Sequence, residues 1–115
     1  MSKELIVQMF HHIDSNNWAG LRPLFCRDVI YERPGYAPII GAQELLDFYE
    51  RVRVIAAGRH TIDGLLTEED SAACWGHFAG THRNGTPLQV RFADCYTFED
   101  GMIKKRTSYF FTPAV

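Results

Sequence analysis

Little in this sequence suits it to an oxidising compartment, a membrane or a charged polymer. It has only three cysteines, Cys26, Cys74 and Cys95, and no CxxC pair. That excludes a disulfide framework or a cysteine metal knuckle and leaves reduced, mostly buried thiols. No apolar run approaches the length of a transmembrane helix, and none follows a basic N-terminus as a signal peptide would. A cytoplasmic protein is the expectation. The net charge is only -2, too small to draw the chain to nucleic acid or to an anionic membrane. Repeats, linkers and low-complexity tracts are missing. So are a Gly-rich phosphate loop, a nucleophile elbow, an HExxH pair and a Walker-type motif, so no cofactor is expected.

What is present is the balance of one soluble globular domain. The 115 residues are 46% hydrophobic and 23% charged, enough for one core and unlike a disordered chain. Leu5, Ile6, Met9, Phe10 and Ile13 recur at helical spacing after a possible cap at Ser2. Trp18, Leu21, Leu24 and Phe25 suggest a short second helix, with Pro23 tolerated only in an early turn. Val29–Arg33 reads as a strand stopped by Pro34-Gly35. Leu45, Leu46, Phe48, Tyr49 and Val52 mark a third helix over about residues 42–53. From Gly58 onward the pattern is strand: 58–66, 71–83, 86–98 and 102–111. Asn84-Gly85 predicts a two-residue type I′ hairpin, and Glu99-Asp100-Gly101 a three-residue loop. The fold class is α+β: three helices over one face of a curved, mostly antiparallel sheet, forming a cone-shaped pocket across residues 1–115.

The segment VRFADCYTF (90–98) carries the main anomaly. Val90, Phe92, Tyr96 and Phe98 share one face, and Asp94 shares it with them. An unpaired buried carboxylate costs several kcal/mol or stays protonated. The two predicted turns supply partners for it. A two-residue loop at Asn84-Gly85 pairs Arg83 with Thr86, puts Trp75 opposite Asp94 and leaves His77 diagonal to it. A three-residue loop at Glu99 puts Arg106 opposite Asp94 on the other side; a two-residue loop would put Thr107 there.

The segments VQMFHHIDSNNWAGLRPLFCRDVIYERP, GAQELLDFY and RFADCYTFEDG together resemble the nuclear transport factor two-like superfamily. That group includes the SnoaL-like polyketide cyclases, ketosteroid isomerases, scytalone dehydratase and limonene epoxide hydrolase. The ketosteroid isomerase pattern is met in part. Its oxyanion-hole aspartate falls on Asp94 and a pocket tyrosine on Tyr49, but its general base falls on Arg33 and its helix-1 tyrosine on Phe10. Limonene epoxide hydrolase is similar in pairing arginine with aspartate, and lacks a counterpart here for its second aspartate. The SnoaL-like cyclases are similar in using one aspartate on this strand with a neighbouring histidine, which Asp94 and His77 match.

The resemblance implies an apolar pocket for a small carbonyl-containing or polycyclic molecule. The implied chemistry is cofactor-free proton transfer of isomerase, cyclase or dehydratase type. Asp94 and His77 are the expected catalytic pair. Arg33, Tyr49, Trp75, Phe92, Arg106, Phe110 and His60 are the expected substrate contacts. Each has a plainer reading. Asp94 can sit in an ion pair with Arg106 or Arg33, Arg33 can neutralise Asp94 or Glu32, and the aromatic residues can be core. A site of His60, His77 and Asp94 has metal-ligand chemistry, but no spacing fixes their convergence, and no metal is expected. The competing function is a non-catalytic ligand-binding or dimerisation domain. A homodimer through the outer sheet face is expected, because Cys74, Phe78, Cys95, Tyr109 and Phe111 are assigned there and are too apolar for open solvent.

Overall fold

The structure is a computed structural model that describes residues 2–112. Its order is α1 (Ser2–Asp14), α2 (Trp18–Leu21) running into a 3₁₀ turn (Arg22–Leu24), β1 (Phe25–Glu32), β2 (Ile39–Ile40) and α3 (Ala42–Asp47). A π-turn (Phe48–Val52) then leads to β3 (Ile55–Thr67), β4 (Ser71–His82), β5 (Pro87–Glu99) and β6 (Met102–Phe110). The six strands form one sheet in the order β2-β1-β6-β5-β4-β3. Only β1 and β6 pair in parallel. The α+β expectation and the period switch after the third helix both hold. The second helix is shorter than expected because Pro23 sits in the 3₁₀ turn, and Phe25 already belongs to β1.

Helix α1 lies over the sheet because its apolar stripe must leave water. Ile6, Met9, Phe10 and Ile13 are buried and join Leu21, Val29, Tyr31, Leu45, Phe92, Tyr96 and Ile103 in the main core. Each such side chain stabilises the fold by about 1.5–3 kcal/mol. In β5 the buried positions are Val90, Phe92, Asp94 and Tyr96, as the alternation predicts.

Both hairpin loops differ from expectation, and in opposite senses. At Asn84-Gly85 the His82 amide bonds Thr86 O at 2.8 Å and the Gly85 amide bonds His82 O at 2.9 Å. Only Gly85 there has positive φ, at 90°. This is a three-residue loop, a type I turn closed by a left-handed glycine. It pairs Cys74 with Asp94 and Trp75 with Ala93, one residue from the expected register. A one-residue slip turns a strand over. Cys74 and Phe78 therefore face inward, and Trp75 and His77 face outward.

At the second turn, Asp100 and Gly101 both have positive φ, 53° and 75°, the signature of a two-residue type I′ loop. It pairs Glu99 with Met102, and an irregularity between Thr97 and Phe98 then shifts the register again. Asp94 ends up opposite Ser108, and Arg106 opposite Tyr96. The two shifts cancel in parity, so Arg106 stays on the inner face.

Candidate functional site

The inner face of the sheet, β1, the π-turn and β3 enclose a cavity. It is lined by Tyr31, Arg33, Tyr49, Arg53, His60, Phe92, Asp94, Arg106 and Phe110, together with Ile55, Phe78 and Val90. About 30 Å³ of it is open to a water-sized sphere, room for roughly two waters.

Asp94 is fully buried and bonded on both oxygens. Ser108 Oγ donates to Oδ1 at 2.6 Å and Tyr96 Oη to Oδ2 at 2.8 Å. Arg106 reaches Oδ2 through Nε at 3.0 Å and through Nη2 at 2.9 Å. Every partner donates, which is the environment of an ionised carboxylate. The network runs on in both directions. Ser108 spends its proton on Asp94, so it accepts from Tyr31 Oη at 2.8 Å. Arg106 Nη1 donates to Tyr49 Oη at 2.7 Å, which frees the Tyr49 hydroxyl proton for a further acceptor. Burial alone would push the Arg106 guanidinium down, but Asp94, with Tyr31 and Tyr49, holds it well above its usual range. Asp94 also helps push the Cys74 thiol, already desolvated by burial, up to about 11. That thiol stays protonated and inert.

His77 does not reach this network. It is half exposed on the outer face and meets Asp63 at 3.2 Å. Trp75 is likewise 45% exposed. Both corrections follow from the loop at Gly85. Arg33 meets neither Asp94 nor Glu32; Glu32 instead takes Thr107 at 2.9 Å and Lys105 at 3.4 Å. Arg33, Tyr49, Phe92, Arg106, Phe110 and His60 do line the cavity with Asp94. Among the described residues, no group of three His, Cys, Asp or Glu side chains is placed to hold a metal ion.

The histidine of this cavity is His60, and its partner is Asp14, which is not among the residues expected at the site. Asp14 is the last residue of α1. Its Oδ1 lies 2.5 Å from His60 Nδ1, and its Oδ2 accepts the His60 amide at 2.8 Å. An acid in the last turn of a helix opposes the helix dipole, and that misplacement was the available signal. The carboxylate fixes the proton on Nδ1 and leaves Nε2 unbonded among the described residues, with its lone pair free. Phe10, Phe78 and Phe92 pack around the ring, with centroids 4.6, 4.5 and 5.5 Å away. Burial lowers the His60 pKa below its ordinary value, although Asp14 pulls the other way. The ring is neutral at neutral pH.

The π-turn aims Tyr49 and Arg53 into the same space. Its wide hydrogen bond, Arg53 amide to Phe48 O at 2.8 Å, rotates the last turn, and such bulges recur at functional sites. Arg83 closes the end by donating from Nε to Arg53 O at 2.7 Å and from Nη2 to Glu50 O at 3.2 Å.

The family model for the SnoaL-like domain matches residues 6–106. The chain belongs to the SnoaL-like family. Among solved structures, an NTF2-like protein of unknown function from Burkholderia pseudomallei is 18% identical, with a TM-score of 0.85 over 94% of this chain and 88% of that one. A protein from Jannaschia named as a putative SnoaL-like polyketide cyclase is 11% identical, with a TM-score of 0.82 over 94% and 83%. TerC, co-crystallised with polyporic acid, is 19% identical, with a TM-score of 0.83 over 93% and 88%. At these identities the likeness is one of fold. No curated protein matches the sequence at a significant level. No helix among the described residues is long and apolar enough to cross a membrane.

Proposed function

We propose that this SnoaL-like protein binds a small carbonyl-containing molecule and moves a proton on it without a cofactor. The observation that carries the reading is His60. It is a neutral imidazole on the cavity wall, oriented by Asp14 through Nδ1, with Nε2 unbonded. A general base needs that protonation state and that accessibility. In a proton abstraction next to a carbonyl, His60 Nε2 takes the proton. The Tyr49 hydroxyl, its oxygen already accepting from Arg106, donates to the developing enolate oxygen. Asp94 is no longer the proton carrier; it fixes Arg106, and through it Tyr49. The fold-level likeness to TerC, a protein crystallised with polyporic acid, supports a small organic ligand.

The experiment is exchange of α-protons for deuterium, followed by proton NMR in D₂O, on a panel of cyclic ketones and β-keto esters. Wild type accelerates exchange for at least one member, His60→Gln abolishes the acceleration, and His77→Gln keeps it. No acceleration on the panel, or acceleration surviving in His60→Gln, sinks the catalytic reading. A non-catalytic binding domain is then the remaining reading. Two observations favour it: Asp94 has its full set of hydrogen bonds, and the free space is small.

The assembly proposed with this function is a homodimer through the outer sheet face. Trp75, Tyr109 and Phe111 are 45%, 57% and 72% exposed there. Cys74 and Phe78 leave that patch, since both are buried inside.

A further inference from the structure

Two arginines of the cavity have no counter-charge. Arg33 and Arg53 are only 8% and 6% exposed, and neither meets a carboxylate among the described residues. The Nε atom of each is buried without a hydrogen-bond acceptor. Arg33 donates once, from Nη1 to Tyr31 Oη at 3.3 Å. Otherwise its guanidinium lies among the rings of Phe48, Phe110, Tyr31 and Tyr36, at 4.9, 5.2, 5.7 and 5.7 Å. Arg53 lies 5.0 Å over the Tyr49 ring.

A buried cation without an anion is a costly arrangement. Ring faces return part of that cost but offer an N–H no acceptor in its own plane. The same cavity shows how the fold treats an arginine it needs for structure. Arg106 has two bonds to Asp94 and one to Tyr49. The cavity lining thus holds three arginines and a single aspartate. Even with Asp14 counted behind His60, one positive charge is left over.

We infer that Arg33 and Arg53 together receive the carboxylate of an organic acid whose apolar body lies against Phe92 and Phe110. Guanidinium forks match a carboxylate in geometry as well as charge. The surrounding rings suit a flat hydrocarbon body better than a hydrated inorganic ion. Such a ligand exceeds the present free space, so it enters by displacing side chains. The two arginines have the rotamer freedom to move. The inference rests on this cavity being the ligand site, though not on His60 moving a proton.

Benzoate, its neutral isostere benzamide and inorganic phosphate are the probes, titrated calorimetrically at matched ionic strength. Benzoate is expected to bind at least tenfold tighter than either. Arg33→Gln and Arg53→Gln are each expected to weaken benzoate at least tenfold, the scale of a charged hydrogen bond. Arg59→Gln, exposed on β3, leaves it unchanged. Equal binding of benzoate and benzamide, tighter binding of phosphate, or no benzoate binding at about 10 mM (weaker than the millimolar affinity of small fragments) overturns the inference. So does unaltered benzoate affinity in both variants.

Stability gives a second readout. Arg53→Met removes an unmatched charge, so the ligand-free denaturation midpoint holds or rises. A marked fall makes Arg53 a structural residue and overturns the assignment. Deuterium exchange on neutral ketones without any carboxylate preference keeps the catalytic reading and defeats this one; carboxylate preference without exchange does the reverse.

Discussion

Arg106 lies diagonally across from Asp94 on adjacent strands, and two of its nitrogens reach the same oxygen, Oδ2, at 3.0 and 2.9 Å. Arg106 is 4% exposed and Asp94 fully buried, so neither has water to fall back on. Replacing one partner strands the other, which costs roughly 3–5 kcal/mol. Asp94→Asn should therefore lower unfolding stability by about 3 kcal/mol or more in urea melts. Arg106→Met added to Asp94→Asn should recover part of that loss, since a neutral pair leaves no stranded charge. A single Asp94→Asn variant as stable as wild type would contradict the ion-pair assignment.

The sequence disclosed this pair because parity is robust. The buried face of β5 follows from its alternation, and the β6 register is wrong by two pairs, an even number, so Arg106 keeps its face. The first hairpin is wrong by one, an odd number, and that exchanges the faces of β4. His77 was lost to the site for that reason alone. Dipeptides do not decide loop length here: Asn84-Gly85 closes a three-residue loop and Asp100-Gly101 a two-residue one. For Asp14 the sequence offers only its unfavourable place at the end of a helix, and for Arg53 nothing. Their roles depend on contacts between the end of α1 and β3, and on a π-turn that no local pattern announces.

The loop assignment predicts an asymmetry. Gly85 has φ 90° while Asn84 is not in the left-handed region. Gly85→Ala should destabilise by about 1–2 kcal/mol. Asn84→Ala loses only the bond from the Thr86 amide to Asn84 Oδ1 at 3.0 Å, about 1 kcal/mol or less. Equal effects in thermal melts would favour the type I′ turn, in which both residues need positive φ.

The outer sheet face predicts concentration-dependent assembly. Trp75, Tyr109 and Phe111 lie beside one groove with Arg91 and Asp63, an apolar centre with a charged rim. Light scattering should report a dimer at tens of micromolar, roughly the scale at which weak pairs dissociate. Trp75→Glu combined with Tyr109→Glu should give a folded monomer, because both side chains are outside the core. A wild-type monomer at that concentration would leave the patch without this partner.

The His60–Asp14 pair predicts how stability and proton transfer respond to pH. Burial lowers the folded-state pKa of His60 below its ordinary 6.5. Between those two values the unfolded chain holds the proton and the folded one does not. Stability is then lost as pH falls. The loss begins near 6.5, grows downward, and stops changing once folded His60 is itself protonated. The slope from His60 fades above 6.5, as the unfolded imidazole also loses its proton. His60→Gln should remove this component, so the wild-type minus variant difference in urea midpoint should flatten above about pH 6.5 and fall below it. Proton abstraction follows the folded-state value. Its rate should fall with acid as Nε2 is protonated, with the half-maximum below pH 6.5. A half-maximum above pH 6.5 would mean that another group is the base. A stability difference that shrinks as pH rises above 6.5 would mean that the imidazolium, rather than the neutral ring, is the form the fold stabilises beside Asp14.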